Sequence, residues 1–341
     1  MSGTSLDGLD LAAVEFQHEN ETWSFSLVMA ETIRYPKIWL EKLKNAPFLS
    51  DKNLMELHAE YGRFTGEQIN RFIEKTGFTP EIVASHGHTI FHQPEKHFTF
   101  QLGHGAKIAA ITKITTVADF RTGDVALGGQ GAPLVPIGDR LLFPEFDYCL
   151  NLGGFANISF EKNNQRIAFD ICPANIILNH FAAKQGYSFD KNGQLGRTGK
   201  VNTELLKNLN NLPFYQQNPP KSLGREWLEK EFIPVLEHSS TSEKDKLRTV
   251  YTHIAQQIAA ATSGRGKMLF TGGGAFNTFL IELISTFTKT KIVIPSEEIV
   301  NYKEALIFAF LGVLRIKNIN NCLASVTGAS KDSCAGIIFN I

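Results

Sequence analysis

The sequence predicts an α/β protein built from two domains. The chain has 341 residues, which is more than one compact domain of ordinary size usually holds. Segments with the character of strands alternate with amphipathic helical runs, as in α/β folds. A glycine-rich turn beside an apolar strand occurs at residues 3–16 and again at residues 151–160. We expect these two hairpins to lie one in each domain and to face each other across a cleft.

The first domain is expected to span residues 1–143. Gly77 is predicted to end a long helix, because apolar residues recur at helical spacing from residue 51 up to this glycine. Short apolar runs bounded by polar or glycine-rich turns predict the strands of this domain. These strands are 9–16 and 23–29, which form a hairpin, followed by 81–84, 98–102 and 114–118.

The second domain is expected to span residues 144–324, with a tail, residues 325–341, that packs back on the first. Ser242 opens a predicted helix, because Ser242-Glu-Lys-Asp245 resembles a capping box with Asp in the place of Glu. The other predicted helices are 175–183, 275–287 and 303–314, and the predicted strands are 148–151, 156–160, 166–170, 267–270 and 292–294.

Charge and composition exclude several classes of protein. Lys plus Arg and Asp plus Glu number 34 each, so the chain lacks the basic excess of a nucleic-acid binder. Asp7 and Asp10 interrupt any apolar core of a signal peptide, and no apolar stretch reaches the roughly 20 residues that span a membrane. We therefore expect a cytoplasmic protein with no nucleic-acid or membrane partner. Its cysteines lack CxxC spacing and suit reduced thiols: Cys149, Cys172, Cys322 and Cys334.

Three glycine-rich turns follow or open apolar strands, at residues 3–8, 153–154 and 272–274. Glycine lets backbone N–H groups approach a phosphate closely. The third turn is expected to begin a helix, whose first N–H groups suit an anion. Any one turn alone reads as an ordinary hairpin, but three on a two-domain α/β chain favour a nucleotide site. Neither a GxxxxGK[ST] motif nor a strand–GxGxxG–helix unit is present.

The first of these turns also carries polar side chains. The hydroxyl groups of Thr4 and Ser5 add hydrogen-bond donors, and the carboxylate of Asp7 could hold a hydrated Mg²⁺. Asp170 ends a predicted strand, where a carboxylate suits a general base that deprotonates water or a hydroxyl. The alternative for Asp170 is a helix-capping or turn residue.

The first half of the chain contains a cluster of histidines and an arginine after a strand. A metal site is disfavoured for the histidines, because no carboxylate or thiolate accompanies them at ligand spacing, and a polar sugar-binding rim or plain surface is preferred. Arg121 could pair with a substrate carboxylate or form a structural salt bridge. The histidines are His86, His88, His92, His97 and His104.

The residues as a set resemble a known family. The sequence segments on which the resemblance rests are, in order, MSGTSLDGLD (1–10), SHGHTIFH (85–92), TFQLG (99–103), ADFRTGDVALGGQGAPLVP (118–136), NLGGFANIS (151–159), FDICPAN (169–175), PPKSLGRE (219–226), TGGGAFN (271–277), KEALIFAFLG (303–312) and VTGAS (326–330). They run over essentially the whole chain, and they resemble the signature blocks of the anhydro-N-acetylmuramic acid kinases.

The resemblance implies a two-domain, actin-like ATPase fold of the ribonuclease H-like type, with a cleft between the domains. Such enzymes serve bacterial cell-wall recycling. With ATP and Mg²⁺ they open the 1,6-anhydro ring of anhydro-N-acetylmuramic acid with water and phosphorylate O6, giving N-acetylmuramic acid 6-phosphate and ADP. The resemblance also implies a homodimer.

The resemblance further implies roles for individual residues. Asp170 matches the catalytic aspartate, which deprotonates the attacking water. The ATP-binding positions are Gly3, Thr4, Ser5, Leu6, Asp7, Gly8, Leu9, Asp10, Gly153, Gly154, Gly272, Gly273, Gly274 and Asn277. The sugar-binding positions are Ser5, His86, His88, Arg121, Asn175 and Glu304.

The sequence departs from the family pattern beside the expected base. Where the family has FDTGPGN, this chain has Phe169-Asp-Ile-Cys-Pro-Ala-Asn175, so a hydroxyl and two glycines are replaced. His88 stands in place of a common glutamine, and Asn179 in place of a frequent aspartate. Family members also carry residues ahead of MSGTSLDG that complete the first strand, so we expect a short first strand here or a start assigned late. Two alternatives follow: a sugar- or nucleotide-binding regulator of the same fold, and an actin-like assembly protein.

Overall fold

The computed structural model describes residues 1–3, 6–262 and 264–341. Strands and helices alternate along the chain, which confirms the predicted α/β class. The strands of the described residues are β1 (Leu9–Glu19), β2 (Thr22–Ile33), β3 (Val83–Ser85), β4 (His88–Gln93), β5 (Phe98–Leu102), β6 (Thr116–Ala118), β7 (Tyr148–Leu152), β8 (Phe155–Lys162), β9 (Gln165–Pro173), β10 (Lys267–Thr271), β11 (Lys291–Val293) and β12 (Ile337–Phe339). The α-helices are α1 (Lys37–Asn45), α2 (Asp51–Thr76), α3 (Gly105–Thr112), α4 (Thr122–Ala126), α5 (Pro136–Leu142), α6 (Asn175–Ala183), α7 (Gln194–Arg197), α8 (Thr203–Asn210), α9 (Arg225–Trp227), α10 (Ile233–Glu237), α11 (Glu243–Ala260), α12 (Thr278–Phe287), α13 (Glu297–Ile316) and α14 (Ala324–Thr327).

The chain divides into two compact units. Unit 1 comprises Met1–Phe143 and Tyr302–Ile341, and unit 2 comprises Pro144–Asn301. Residues 302–324, which the sequence assigns to the second domain, therefore pack with unit 1. The C-terminal tail lies in the same unit, because β12 pairs with β6.

Helix α13 explains why residues 302–324 pack in unit 1. Lys303 and Asp139 form a buried ion pair with 2.6 Å between Nζ and Oδ1, which joins this helix to α5. Gly312 lies so close to β3 that an added Cβ would come within 2.7 Å of the Cβ of Ala84. A long helix with these contacts is held by tertiary packing, which the helical periodicity of its sequence does not reveal.

The described residues of unit 1 form short sheets rather than one continuous sheet. The hairpin of β1 and β2 is antiparallel and pairs Leu9 with Ile33, so it extends beyond the predicted strands. Strand β6 lies between β3, which is parallel to it, and β12, which is antiparallel. Strands β4 and β5 form a further antiparallel pair. Long helix α2 has the predicted bounds, because Ser50 caps its start and Gly77, with φ 68°, ends it.

Unit 2 contains one five-stranded sheet in the order β11-β10-β7-β8-β9. Strands β7, β8 and β9 are antiparallel neighbours, whereas β10 and β11 run parallel to β7 on its other side. This is the strand order of the ribonuclease H-like fold, in agreement with the predicted fold class. The sheet packs on α11, and fully buried side chains of both, such as Leu150, Ile254 and Phe270, belong to one core.

Helix α11 begins where the sequence places it. The Ser242 hydroxyl oxygen accepts a hydrogen bond from the N–H of Asp245 at 3.3 Å, so the predicted N-cap is present. Among the described residues, no helix combines the length and apolar character needed to cross a membrane.

Candidate functional site

The opening turn is closed by backbone contacts. The N–H of Leu6, a residue with φ 61°, donates to the carbonyl oxygen of Gly3 at 3.2 Å. Gly8 lies against β2, where an added Cβ would come within 2.6 Å of Thr32 Cγ2 and 2.7 Å of the Ile33 carbonyl oxygen. Glycine is therefore required at position 8 for close packing of the chain on β2.

The other predicted positions of this turn have different environments. Asp7 is exposed, whereas Leu9 belongs to the core of unit 1. Asp10 accepts a hydrogen bond from the hydroxyl of Thr32 at 2.6 Å, so its carboxylate is partly committed to the hairpin. Thr4 and Ser5, both predicted to bind ATP and Ser5 also the sugar, lie outside the described residues.

The second turn is tied to the start of helix α6. The N–H of Ala174 donates to the carbonyl oxygen of Gly154 at 2.8 Å, and the N–H of Asn175 donates to that of Gly153 at 3.1 Å. The side-chain amide of Asn175 donates to the carbonyl oxygen of Leu152 at 2.9 Å. Asn175, which is predicted to bind the sugar, therefore contacts the end of β7 through its Nδ2. Its side-chain oxygen is not used in this contact.

The third turn packs tightly at two glycines and is open at one. A Cβ added to Gly272, where φ is 78°, would come within 2.4 Å of Asn151 Oδ1. A Cβ added to Gly274 would come within 2.7 Å of Leu152 Cβ. At Gly273, nothing in the described residues lies within 4 Å of an added Cβ. The turn thus presents the backbone of Gly273 without a side chain in front of it, a surface that a nucleotide could approach closely.

The predicted helix after this turn begins later than expected. A short 3₁₀ segment, Gly273–Phe276, follows the turn, and α12 begins at Thr278. Asn277 is the N-cap, because its side-chain oxygen accepts a hydrogen bond from the N–H of Leu280 at 3.2 Å. The sequence places this helix at residues 275–287, so its predicted start is three residues too early, because the capping residue is Asn277.

A buried aspartate that the sequence analysis missed supports Asn277. Asp190 accepts hydrogen bonds from the N–H groups of Leu195 and Gly196, at 2.8 and 3.0 Å, and from the Tyr251 hydroxyl at 2.9 Å. The same hydroxyl accepts a hydrogen bond from the side-chain amide of Asn277 at 2.8 Å. The signal in the sequence was the turn-forming pattern Asp190-Lys-Asn-Gly193, in which the aspartate lies three positions before a glycine.

Asp170 lies within strand β9 rather than at its end. It pairs with Asn157 next to an irregularity in the register of β8 and β9. Its Oδ2 accepts a hydrogen bond from the N–H of Leu223 at 2.8 Å, and its own N–H donates to the Lys221 carbonyl oxygen at 3.0 Å. Burial raises the pKa of this carboxyl, an effect that the Leu223 hydrogen bond opposes.

Two further expectations about Asp170 can be compared with this environment. The helix-capping alternative is wrong, because the N-cap of α6 is Ala174 and that helix has no side-chain cap. The residues that replace the family's hydroxyl and glycines, Ile171, Cys172 and Ala174, are buried in the core of unit 2. Burial also raises the pKa of the Cys172 thiol, so it stays protonated at neutral pH.

In unit 1, Arg121 is fixed by a histidine and a carbonyl group. Its Nε and Nη2 donate to Nε2 of His86, at 3.0 and 2.8 Å, and Nη1 donates to the Gly131 carbonyl oxygen at 2.6 Å. Burial, followed by the nearby guanidinium, holds the pKa of His86 well below its ordinary value. The imidazole is therefore neutral, and its Nδ1–H donates to the carbonyl oxygen of Gly87 at 3.0 Å.

Glu304 of α13 provides a negative charge near this arginine. Desolvation by the surrounding protein raises the pKa of Glu304, and Arg121 is the strongest of the charges that oppose this effect. Burial likewise lowers the pKa of Arg121, and Glu304 is the strongest charge that raises it. The structure thus places two of the predicted sugar-binding residues in one charged environment in unit 1.

Two buried hydroxyls and His88 form a separate network. Nδ1 of His88 lies 2.8 Å from the Ser2 hydroxyl, which lies 2.7 Å from the hydroxyl of Tyr35. Burial lowers the pKa of His88 to about 4, so it is neutral near pH 7. Within residues 1–3, 6–262 and 264–341, no group of three His, Cys, Asp or Glu side chains could hold a metal ion.

A second missed aspartate organises the glycine-rich loop of residues 126–135. Buried Asp124 accepts hydrogen bonds from the N–H of Gly131 and the Thr327 hydroxyl, both at 2.7 Å, and from the Cys322 thiol at 3.0 Å. Because Arg121 donates to the carbonyl oxygen of Gly131, Asp124 fixes the loop that orients this arginine.

Comparison with known proteins covers the whole chain. A family model described as anhydro-N-acetylmuramic acid kinase matches residues 1–341. Proteins with that name from Mannheimia succiniciproducens and Pasteurella multocida are 37% and 35% identical, over 99% of this chain and 97% and 95% of theirs. A solved activator of 2-hydroxyisocaproyl-CoA dehydratase from Clostridium difficile is 13% identical, with a TM-score of 0.41 over 90% of this chain and 97% of its own. The family match and the two relatives together establish that this chain belongs to the anhydro-N-acetylmuramic acid kinase family.

Proposed function

We propose that this chain is an ATP-dependent kinase that hydrolyses the 1,6-anhydro ring of anhydro-N-acetylmuramic acid and phosphorylates O6. The products are N-acetylmuramic acid 6-phosphate and ADP, as required in peptidoglycan recycling. The observation that carries the proposal is the match of the family model to residues 1–341. Because the reaction consumes ATP, we propose that the protein acts in the cytoplasm. That it forms a homodimer stays a prediction.

Asp170 is assigned as the general base. It takes a proton from water as the water oxygen bonds to the anomeric carbon and the bond from that carbon to O6 breaks. Two features support the assignment: the carboxyl is only half-buried, and the Leu223 N–H holds Oδ2 at 2.8 Å. The other oxygen of the carboxylate remains for the water.

Arg121 and Glu304 are assigned to the sugar, with His86 holding the guanidinium of Arg121. The lactyl carboxylate of the substrate is a natural partner for a buried guanidinium. Arg121 Nη1 and Nε already donate hydrogen bonds to protein acceptors. We therefore assign Nη2 as the nitrogen that donates both to His86 and to the substrate. His88, Asn175 and Ser5 complete the proposed sugar-binding set.

The third turn fits a nucleotide. Gly272 and Gly274 pack too closely for any side chain, whereas no atom of the described part of the chain lies within 4 Å of a Cβ added at Gly273. We assign Gly272–Gly274 and Asn277 to the nucleoside of ATP, and Gly153–Gly154 with the opening turn, residues 3–10, to its phosphates. Asp7, which is exposed, fits Mg²⁺ that is bound mainly by phosphates and water. When bound, ATP supplies the γ-phosphoryl group, and Mg²⁺ neutralises the charge on the phosphates.

The test is a coupled assay of ADP release with purified protein, ATP and Mg²⁺. The anhydro sugar should give turnover, whereas N-acetylmuramic acid, N-acetylglucosamine and water alone should give little. Product mass should increase by one water and one phosphoryl group. ADP release that is equal with and without the sugar would contradict the proposed function.

A further inference from the structure

The 3₁₀ segment Gly273–Phe276 in unit 2 has one exposed face and one buried face. Gly273 and Phe276 are exposed, whereas Gly274 and Ala275 between them are buried. In a 3₁₀ helix, which has three residues per turn, the side-chain positions i and i+3 eclipse one another. Gly273 and Phe276 therefore share the exposed face of the segment, about 6 Å apart along its axis.

Packing on the buried face fixes the direction of the exposed one. Ala275 belongs to the core of unit 2, and Gly274 lies so close to β7 that an added Cβ would come within 2.7 Å of Leu152 Cβ. Asn277 follows the segment and is held through both groups of its side chain. Its amide donates to the Tyr251 hydroxyl, and its oxygen caps α12. The exposed face is thus presented in one orientation.

Phe276 differs from the next phenylalanine along the chain. Phe279 is 4% exposed, and its ring packs against that of Tyr251 with 5.2 Å between the ring centroids. The guanidinium groups of Arg197 and Arg248 also lie over the Phe279 ring, each 4.6 Å from its centroid. Phe276 is 42% exposed and makes no such ring or cation contact within the described part of the chain. Its ring is therefore available to a ligand.

Gly273 makes the rest of this face accessible to a flat group. No atom of the described residues lies within 4 Å of a Cβ added to it, so a ligand can approach its backbone. A single exposed phenylalanine is common on protein surfaces. Here, however, the ring shares a face with the open glycine of a turn that we assign to the nucleoside. The base is the flat aromatic part of a nucleoside, and bases stack on aromatic side chains.

We propose that the base of the bound nucleotide stacks on the ring of Phe276. The inference rests on the proposed function, because it requires that Gly272–Gly274 bind the nucleoside of ATP. Since the buried face already fixes the segment, little of the binding energy is spent on ordering it. Every base has a π-face, so this contact strengthens nucleotide binding without selecting adenine.

Calorimetry with ADP and the full chain tests the contact. Phe276→Ala should weaken ADP binding about tenfold, the usual loss when an aromatic stacking partner is removed, and Phe276→Trp should keep the affinity within about twofold. The matched control is Phe287→Ala, at a phenylalanine that is 44% exposed at the far end of α12, and it should leave ADP affinity unchanged. Equal affinity in Phe276→Ala and the unchanged protein would overturn this inference alone. If the unchanged protein binds no ADP, the proposed function fails together with it.

Fluorescence shows whether the base touches this ring. In Phe276→Trp, ADP should quench the emission of the new indole over the concentration range in which calorimetry records binding. Inorganic pyrophosphate, which has no base, should not quench it. Phe287→Trp is the control and should not respond to ADP, and the emission of the three tryptophans of the unchanged protein is subtracted. An indole at position 276 that does not respond to ADP would overturn the inference, as would an equal response at both positions.

Discussion

Arg121 donates two hydrogen bonds to a single nitrogen of His86, from Nε at 3.0 Å and from Nη2 at 2.8 Å. A nitrogen that accepts hydrogen bonds from a guanidinium cannot carry a proton, and burial also favours the neutral imidazole. The histidine is thus a fixed acceptor that orients the cation. From the sequence alone, both residues are expected to bind the sugar, and nothing in it relates one to the other.

His86→Phe should therefore raise the KM for the anhydro sugar about tenfold, because a buried guanidinium left without its acceptor costs about 1–3 kcal/mol. The kcat should change less, since the imidazole touches Arg121 rather than the reacting atoms. His86→Gln, whose side-chain oxygen can accept, is the matched control and should restore most of the affinity. Steady-state kinetics measures both variants. Equal KM values for Phe and Gln would show that the acceptor does not matter.

Asp170→Asn should lower kcat by about 10²–10⁴-fold, the usual contribution of a general base. Nucleotide affinity should stay within about twofold, because the amide keeps the size of the carboxyl and its oxygen can still accept from the Leu223 N–H. Single-turnover assays and calorimetry with ADP measure the two quantities. Full activity in Asp170→Asn would mean that another group is the base.

The pH dependence of kcat gives an independent test of the same residue. A base works only when it is deprotonated, and burial raises the pKa of Asp170 above its ordinary value of 3.8. The rate should therefore fall as the pH falls through this raised pKa. Leu223→Pro removes the N–H that stabilises the carboxylate, so the acid limb should move to higher pH. An unchanged acid limb in this variant would contradict the role given to Leu223.

Substitution by alanine should affect stability at one of two neighbouring glycines and ATP affinity at the other. Gly272→Ala should lower Tm, because φ is 78° and the new Cβ would come within 2.4 Å of Asn151 Oδ1. Gly273→Ala should leave Tm within about 2 °C, since its Cβ would have no neighbour within 4 Å among the described residues, yet it should weaken ATP binding about tenfold. Thermal melts and calorimetry compare them. Unchanged ATP affinity in Gly273→Ala would exclude close approach of the nucleotide to this residue.

Local signals account for the parts of the fold that the sequence predicted well. Helix α2 begins after Ser50 and ends at Gly77, both of which act on the adjacent backbone. Strand β12 was not predicted, because three residues have too weak a pattern and their partner, β6, lies more than two hundred positions earlier. The division at Tyr302 also depends on packing, since the periodicity of α13 does not show which side of the division it joins.

The same distinction applies to the candidate site. The glycine turns were visible because glycine itself marks the backbone conformation. Asp124 and Asp190 were missed because one hydrogen-bond partner of each, Thr327 for Asp124 and Tyr251 for Asp190, is distant in sequence. A local pattern such as the turn at Asp190 indicates only nearby partners, so contacts in the folded chain are needed to identify the distant ones.

Acid pH should destabilise the protein through histidines that are buried in the neutral form. His253 is fully buried, with Nδ1 2.7 Å from Asn210 Oδ1 and Nε2 2.9 Å from the Tyr215 hydroxyl. Burial lowers its pKa to about 3, whereas in the unfolded chain it has its ordinary value of 6.5. Below pH 6.5 the unfolded state thus binds a proton that the folded state does not, so the free energy of unfolding falls as the pH falls.

His253 alone should contribute a loss of about 1.4 kcal/mol in the free energy of unfolding between pH 7.5 and pH 5.5. His253→Gln is less stable at pH 7.5, because it breaks a buried network, but its stability should depend less on pH by that amount. His238→Gln, at an exposed histidine outside this network, is the control. Urea denaturation at both pH values measures the difference. A pH dependence in His253→Gln as steep as in the control would mean that His253 is protonated in the folded protein, against the burial that keeps it neutral.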